Sequence, residues 1–381
     1  MPDPMSGLRL TPDADTEELR AVIRAFLRRY CDTEAVFREL DGERGWDPAV
    51  WTRFAGELGA VALDVPEELG GAGASFREVA VVAEELGRSL VRLPWFATAI
   101  LGVGALLHAT GDGADAARAE LLPLLASGEM TATLAHAEEG DDTRAEPDGA
   151  GWRLTGSTTR VIEGHTADLV FVSARTGDGL GLFAVGGAAP GVIRTAQRVL
   201  DPTRPLATVT LHDSPARAIG DPSGAAPVLE RVRDRAVAAL ACEQTGGAAA
   251  ALDMTVAHAK DRIQFGRPIG TFQAIKHRCA DMAVAVEAAR SASSWVAAAA
   301  ADAPDDLPLA AATAALACGE AYSFVAAETI QVHGGIGFTW EHPAHLHFRR
   351  AATAATLFGD QAFHRDRLLR NLEPVPPSSG G

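Results

Sequence analysis

The sequence predicts a mostly helical α+β chain in three parts: an N-terminal α-helical domain (1–129), a middle β barrel or sandwich (130–221) and a C-terminal four-helix bundle (222–373). Three observations predict it. Apolar residues first recur at helical spacing, the period then shortens to β-prone runs broken by Gly, Asp and Pro, and long Ala-rich helical stretches follow. A Pro-, Ser- and Gly-rich tail (374–381) reads as loose chain.

Residues 16–29 carry Leu19, Val22, Ile23, Phe26 and Leu27 on one helical face. Asp47-Pro48 opens a second helix, with proline in its first turn, running through Trp51, Phe54 and Leu58. Residues 65–73 are a Gly-rich loop, and helices resume over 79–86 and 97–108. Strands are predicted at 131–136, 152–154, 158–162, 169–173, 181–185 and 207–211. Helices at 225–262, 272–301 and 307–332 complete the bundle, and Ala-dense faces of this kind pack closely at bundle seams and subunit interfaces.

Composition narrows function. Of 381 residues, 47% are hydrophobic and 22% charged, ordinary for a soluble globular chain. The net charge of −16 argues against nucleic acid or an anionic membrane as partner, since no basic footprint exists. Cys31, Cys242, Cys279 and Cys318 lie scattered without Cys-x-x-Cys spacing, which predicts buried reduced thiols. The N-terminus lacks a basic segment and an apolar core, and the longest apolar runs are short or interrupted, so a cytoplasmic protein without membrane spans is expected.

The informative stretch is residues 262–282, Arg-Ile-Gln-Phe-Gly-Arg-Pro-Ile-Gly-Thr-Phe-Gln-Ala-Ile-Lys-His-Arg-Cys-Ala-Asp-Met. Gly266 and Pro268 stop one long helix and Gly270-Thr271 reopen another, leaving a tight turn that presents a planar cation, an aromatic ring and amide side chains. Such groups suit a phosphate and a stacked heteroaromatic ring. The spelling closely resembles the helix-turn-helix signature of acyl-CoA dehydrogenases, the FAD enzymes that desaturate acyl-CoA thioesters. Gln331-Val-His-Gly-Gly-Ile-Gly-Phe338, with Glu341-His-Pro343 and Arg349-Arg350 beyond it, resembles a second element of that family. The loop at 65–73 resembles an early segment of it.

The resemblance implies the acyl-CoA dehydrogenase fold and a FAD lying across a subunit boundary in a tetramer. Arg262, Gln264, Phe265, Phe272, Gln273 and Ile275 match the positions that meet the pyrophosphate and adenosine of a FAD held mainly by the neighbouring subunit. Gln331, Gly334 and Gly335 match the segment whose backbone approaches the same nucleotide. On the flavin-ring side, backbone at Ala135 and Ile162 is what remains, because the family's Trp-Ile-Thr stretch is Val161-Ile162-Glu163 here and the Thr-Glu-Pro stretch falls in Leu134-Ala-His-Ala-Glu138. A carboxylate at Glu163 beside the ring would oppose the charge developing on a reduced flavin.

The base departs as well. Where the family most often places its catalytic glutamate, this chain has Phe358-Gly359-Asp360, and the alternative family location falls on Ala236. Two turns beyond Ala236, Glu243 sits in an apolar helix face, where an unpaired carboxylate's pKa would rise toward that of a working base. A structural glutamate held by an arginine is the alternative, and Asp360 is a third candidate.

Two expectations follow. In the first, the chain is an enzyme that desaturates an acyl-CoA with Glu243 as base and passes electrons to an electron-transferring flavoprotein. In the second, it is a catalytically incomplete subunit of a heterotetramer, lending half a FAD site to a sibling chain. His342, His345 and His347 read as surface or capping histidines, and Lys276-His277-Arg278 as a solvated or interface cluster.

Overall fold

A computed structural model describes residues 8–40, 42, 44–136, 142–149 and 151–372. Ala137, Glu138 and the tail from Pro374 lie outside the described residues. Six helices precede the sheet: α1 (Ala14–Tyr30), α2 (Thr33–Leu40), α3 (Pro48–Thr52), α4 (Phe76–Ser89), α5 (Val103–His108) and α6 (Ala114–Ala126). Local chemistry sets their starts. Asp13 and Asp47 cap α1 and α3 by accepting from Thr16 N and Ala49 N, and Ser75 with Glu78 closes a reciprocal capping box on α4. Phe96–Gly102 forms a widened helical turn leading into α5 and is wholly buried.

Seven strands follow: β1 (Ala132–Ala135), β2 (Arg144–Asp148), β3 (Gly151–Ile162), β4 (Leu169–Arg175), β5 (Leu180–Gly186), β6 (Val192–Ala196) and β7 (Leu206–Ala218). Pairing runs β1-β4-β2-β3-β7-β5, with β6 on β7 and β4 returning to β5, so the sheet curls back on itself. Two predicted runs, 152–154 and 158–162, are one strand bent by register shifts near Gly156 and Arg160. β2 and β6 were not anticipated because they are mostly exposed and carry no apolar alternation.

The bundle comprises α7 (Ala225–Asp261), α8 (Gln273–Asp302), α9 (Leu307–His333), α10 (Ala344–Ala354) and α11 (Gln361–Leu372). α7 and α8 are joined by a small hairpin, β8 (Ile263–Gln264) with β9 (Arg267–Pro268). Small residues bring α7 onto α4. A Cβ at Gly246 would sit 1.9 Å from the Glu84 carbonyl, and one at Gly87 would sit 2.0 Å from the Glu243 carbonyl. Only glycine permits that crossing, and it fixes Glu243 at the seam between the two helical domains.

Leu307–Phe338, containing α9, is long and apolar enough to cross a membrane by composition, contrary to the expectation of short, interrupted runs. In the fold it packs against α7, α8, α10 and α11, and 56% of its most apolar window is buried. Cys31, Cys242 and Cys318 are buried and Cys279 half-buried, all as free thiols.

Candidate functional site

Glu243 is 4% exposed, yet it is not unpaired. One carboxylate oxygen meets Arg204 and the other lies 2.7 Å from Arg350 Nη1. Arg350, on α10, also donates from Nε to Asp201 Oδ2 at 2.6 Å and from Nη2 to the Thr203 carbonyl at 2.9 Å. Burial alone would raise the Glu243 pKa, but Arg204 and then Arg350 outweigh it and hold the carboxyl below its ordinary value. The expected rise of the Glu243 pKa is therefore corrected to a fall, and the contacts are those of the alternative, a glutamate held by arginine, here by two guanidinium groups. Arg204 and Asp201 were missed in the sequence because the network joins positions 201, 204, 243 and 350, which no local spacing reveals.

Asp360 is exposed. Its Oδ1 accepts from Phe363 N at 2.9 Å and heads α11. The place of the family's glutamate belongs to Phe358, whose ring stacks on Phe96 with centroids 5.9 Å apart. The Arg204 guanidinium lies 4.6 Å over that same Phe96 ring, so the ion network and the aromatic wall form one continuous block.

Behind Phe358 lies a cavity of about 110 Å³ lined by Leu134, His136, Ile162, Leu206, Arg233 and Leu357 among others. It occupies the junction of β1, β3, α7 and the segment after α10, where a flavin ring would be expected from the β-domain positions. Ile162 lines it, but its carbonyl already accepts from Thr133 Oγ1 at 2.5 Å, and Ala135 is wholly buried opposite Val172. Ligand pockets usually span about 300–1,000 Å³, and this cavity is small beside them. Glu163 does not face it. At φ 55° its side chain turns inward, accepts from Thr166 Oγ1 at 3.0 Å, and burial pushes its pKa up to about 7 against the pull of Arg92. The feared carboxylate beside the ring is thus absent.

The opposite end of the bundle is open. His258 of α7 stacks on His333 of α9 at 4.3 Å, which brings the hairpin and the glycine turn to one end of the bundle. Arg262 and Gln331 are exposed, and the Arg262 side chain makes no ion pair or hydrogen bond among the described residues. Phe265, at φ 52°, is 91% exposed and meets its own chain only edge-on at Phe272, 6.1 Å away. Gln264 and Gln273 are exposed, with Gln264 Nε2 donating only to the neighbouring Ile263 carbonyl; Ile275 is half-buried. Gly334, at φ 65°, and Gly335 have nothing within 4 Å of where a Cβ would stand. Of the nearby basic cluster, Lys276 and His277 are exposed, and Arg278 pairs with Glu328. His342 caps as expected, accepting from Ala344 N at 3.2 Å, but His345 and His347 are buried rather than superficial because α10 tucks beneath α2 and α9.

Residues 13–129 match the acyl-CoA dehydrogenase N-terminal domain model and residues 231–373 the C-terminal domain model. Acyl-CoA dehydrogenase IpdE2 of Mycobacterium tuberculosis is 37% identical over 364 residues, spanning 96% of this chain and 98% of the relative. The chain belongs to the acyl-CoA dehydrogenase family. It is accordingly an acyl-CoA dehydrogenase-like oxidoreductase of the class acting on CH–CH bonds, and FAD is the family cofactor. Among solved structures, the ChsE4-ChsE5 complex from Mycobacterium tuberculosis is similar at TM-score 0.88 and 28% identity, covering 97% of this chain and 100% of that one. A variant of the Tcur3481-Tcur3483 steroid ACAD is similar at TM-score 0.82 and 32% identity, covering 93% and 97%.

The residues present fit FAD unevenly. The open glycines, the unpaired guanidinium and the exposed ring suit the nucleotide half, approached from outside the chain. On the ring half, Phe358 and Ile162 line a small cavity.

Proposed function

We propose that this chain works as the catalytically incomplete subunit of a heterotetrameric, FAD-dependent acyl-CoA dehydrogenase, in which a sibling chain supplies the base and seats the flavin ring. The observation that carries this reading is the commitment of Glu243 to Arg204 and Arg350 while Phe358 stands where the family's glutamate would. α,β-Desaturation needs a carboxylate to take the α-proton, whereas Glu243 is held between Arg204 and Arg350 and Asp360 caps α11 through Oδ1. Bound FAD supplies the acceptor for the β-hydrogen as hydride.

This chain's own contribution is binding. Arg262 meets the pyrophosphate charge, Phe265 stacks on the adenine side, Gln264 and Gln273 offer amides, and Gly334-Gly335 admit the nucleotide against bare backbone. The exposed apolar side chains around that end, Ile336, Phe338 and Trp340, are suited to burial against the sibling. Similarity to complexes of two different chains supports the assembly, and similarity to a steroid ACAD supports a bulky acyl group. Electrons then pass to an electron-transferring flavoprotein, and the complex is cytoplasmic.

The test is to purify the chain alone and add acyl-CoAs anaerobically. Folded, colourless protein without turnover is expected; a yellow chain that bleaches with substrate by itself contradicts the division of labour.

A further inference from the structure

A second cavity of about 350 Å³, sharing no lining residue with the one behind Phe358, lies where α1, α2, α4, α7 and α10 meet. Its walls are chiefly apolar, from Leu27, Val36, Leu90, Met254 and Leu346. Polar side chains interrupt them, among them Thr33, Ser89 and His347. His347 is 2% exposed, its Nδ1 is 3.0 Å from the Tyr322 hydroxyl, and its Nε2 has no partner among the described residues. Burial keeps the ring neutral, with a pKa down at about 3. A neutral imidazole carries one N–H, so Nε2 is a donor when the phenol donates to Nδ1 and an acceptor when Nδ1–H donates to the phenol. His347 lines the cavity, so a polar atom of a ligand can meet its ring edge there.

Charge at the same place is unlike that of the whole chain. Three guanidiniums (Arg24, Arg28, Arg88) and two carboxylates (Asp32, Glu85) border the cavity, on a chain of net charge −16. Glu85 is paired with Arg20 and Arg24, while Asp32 accepts from Ala35 N at 2.8 Å. Arg88 is paired with Asp253, whereas Arg28 is exposed and has no partner among the described residues. The volume lies within the range of small-ligand pockets.

We propose that this cavity binds a small amphipathic carboxylate, with its apolar body against Leu27, Met254 and Leu346, its anionic head drawn to Arg28 at the rim, and His347 as a polar contact on the wall. The site is independent of the flavin assembly and does not rest on the proposed function.

Octanoate is the probe, titrated calorimetrically into the full-length chain with 1-octanol as the neutral control. Saturable octanoate binding is expected, with a melting temperature that rises with ligand concentration. Arg28→Glu, a surface change, weakens octanoate about tenfold and leaves 1-octanol unaffected. Ala250→Phe, which fills the cavity from α7, abolishes binding with the circular dichroism spectrum unchanged; if that variant fails to fold, the Arg28→Glu comparison decides. The proposal is overturned by absence of saturable binding, by 1-octanol binding as tightly as octanoate, or by affinity indifferent to Arg28→Glu. Dissociation of the assembly by Ala250→Phe, in a wild-type chain that ignores octanoate, would instead make the cavity a subunit contact and overturn it too.

Discussion

Between Arg204 and Arg350, Glu243 holds two buried cations. Replacing it with glutamine leaves Arg204 without its ion pair and Arg350 with Asp201 alone, and removing one partner of a buried pair costs about 3–5 kcal/mol. Chemical denaturation of Glu243→Gln should therefore show a loss of that order. A catalytic glutamate would behave differently, losing turnover while keeping stability. Because the folded pKa of Glu243 is depressed, its contribution is fully present above the ordinary value of 4.5 and is lost only as pH falls through the lower folded value. Glu163 has the opposite sign. Its carboxyl ionises near 4.5 when unfolded and near 7 when folded, so the folded state holds the extra proton in between and stability falls as pH rises across that window, by about 1.4 kcal/mol per unit. Glu163→Gln should flatten that slope in melting curves taken from pH 5 to pH 7; an unchanged slope would show that Glu163 is not the group responsible.

At the scale of elements, the hairpin between α7 and α8 is spelled for something outside the chain. Phe265 contributes little to its own fold, so Phe265→Ala should alter unfolding free energy by less than about 0.5 kcal/mol. The same change should lower the FAD retained by the complex with the sibling chain, measured by absorbance after gel filtration; undiminished flavin would remove the ring from the site. The long helices and this turn were legible in the sequence because Gly266, Pro268 and Ala-dense periodicity act locally. β2 and β6 were not, since exposed strands carry no pattern of burial. Nor was the true state of Glu243, because an apolar helix face looks the same whether the arginines that answer its charge come from a distant loop and another helix or are missing. The open turn at Gly334 and Gly335 was legible in spelling, and its lack of any facing atom adds the physical reason.

Over the whole molecule, the proposed function divides one cofactor site into two halves. The nucleotide-facing end remains open and unpaired, while the ring-facing end is closed by Phe358 on Phe96 and backed by an ion network that ties the loop before β7 to α7 and α10. A homotetramer of such chains would have nucleotide cradles without seats for the ring, whereas pairing with a sibling that keeps its own β-domain contacts gives each cradle a flavin to meet. The most direct measurement is flavin content of this chain co-expressed with a sibling acyl-CoA dehydrogenase chain, with and without Arg262→Gln. The account predicts a yellow complex carrying one FAD per pair of unlike chains, bleached by its acyl-CoA, and pale and inactive in the Arg262→Gln form although still assembled. Full flavin occupancy in the Arg262→Gln complex, or one FAD bound by every copy of this chain on its own, would contradict it.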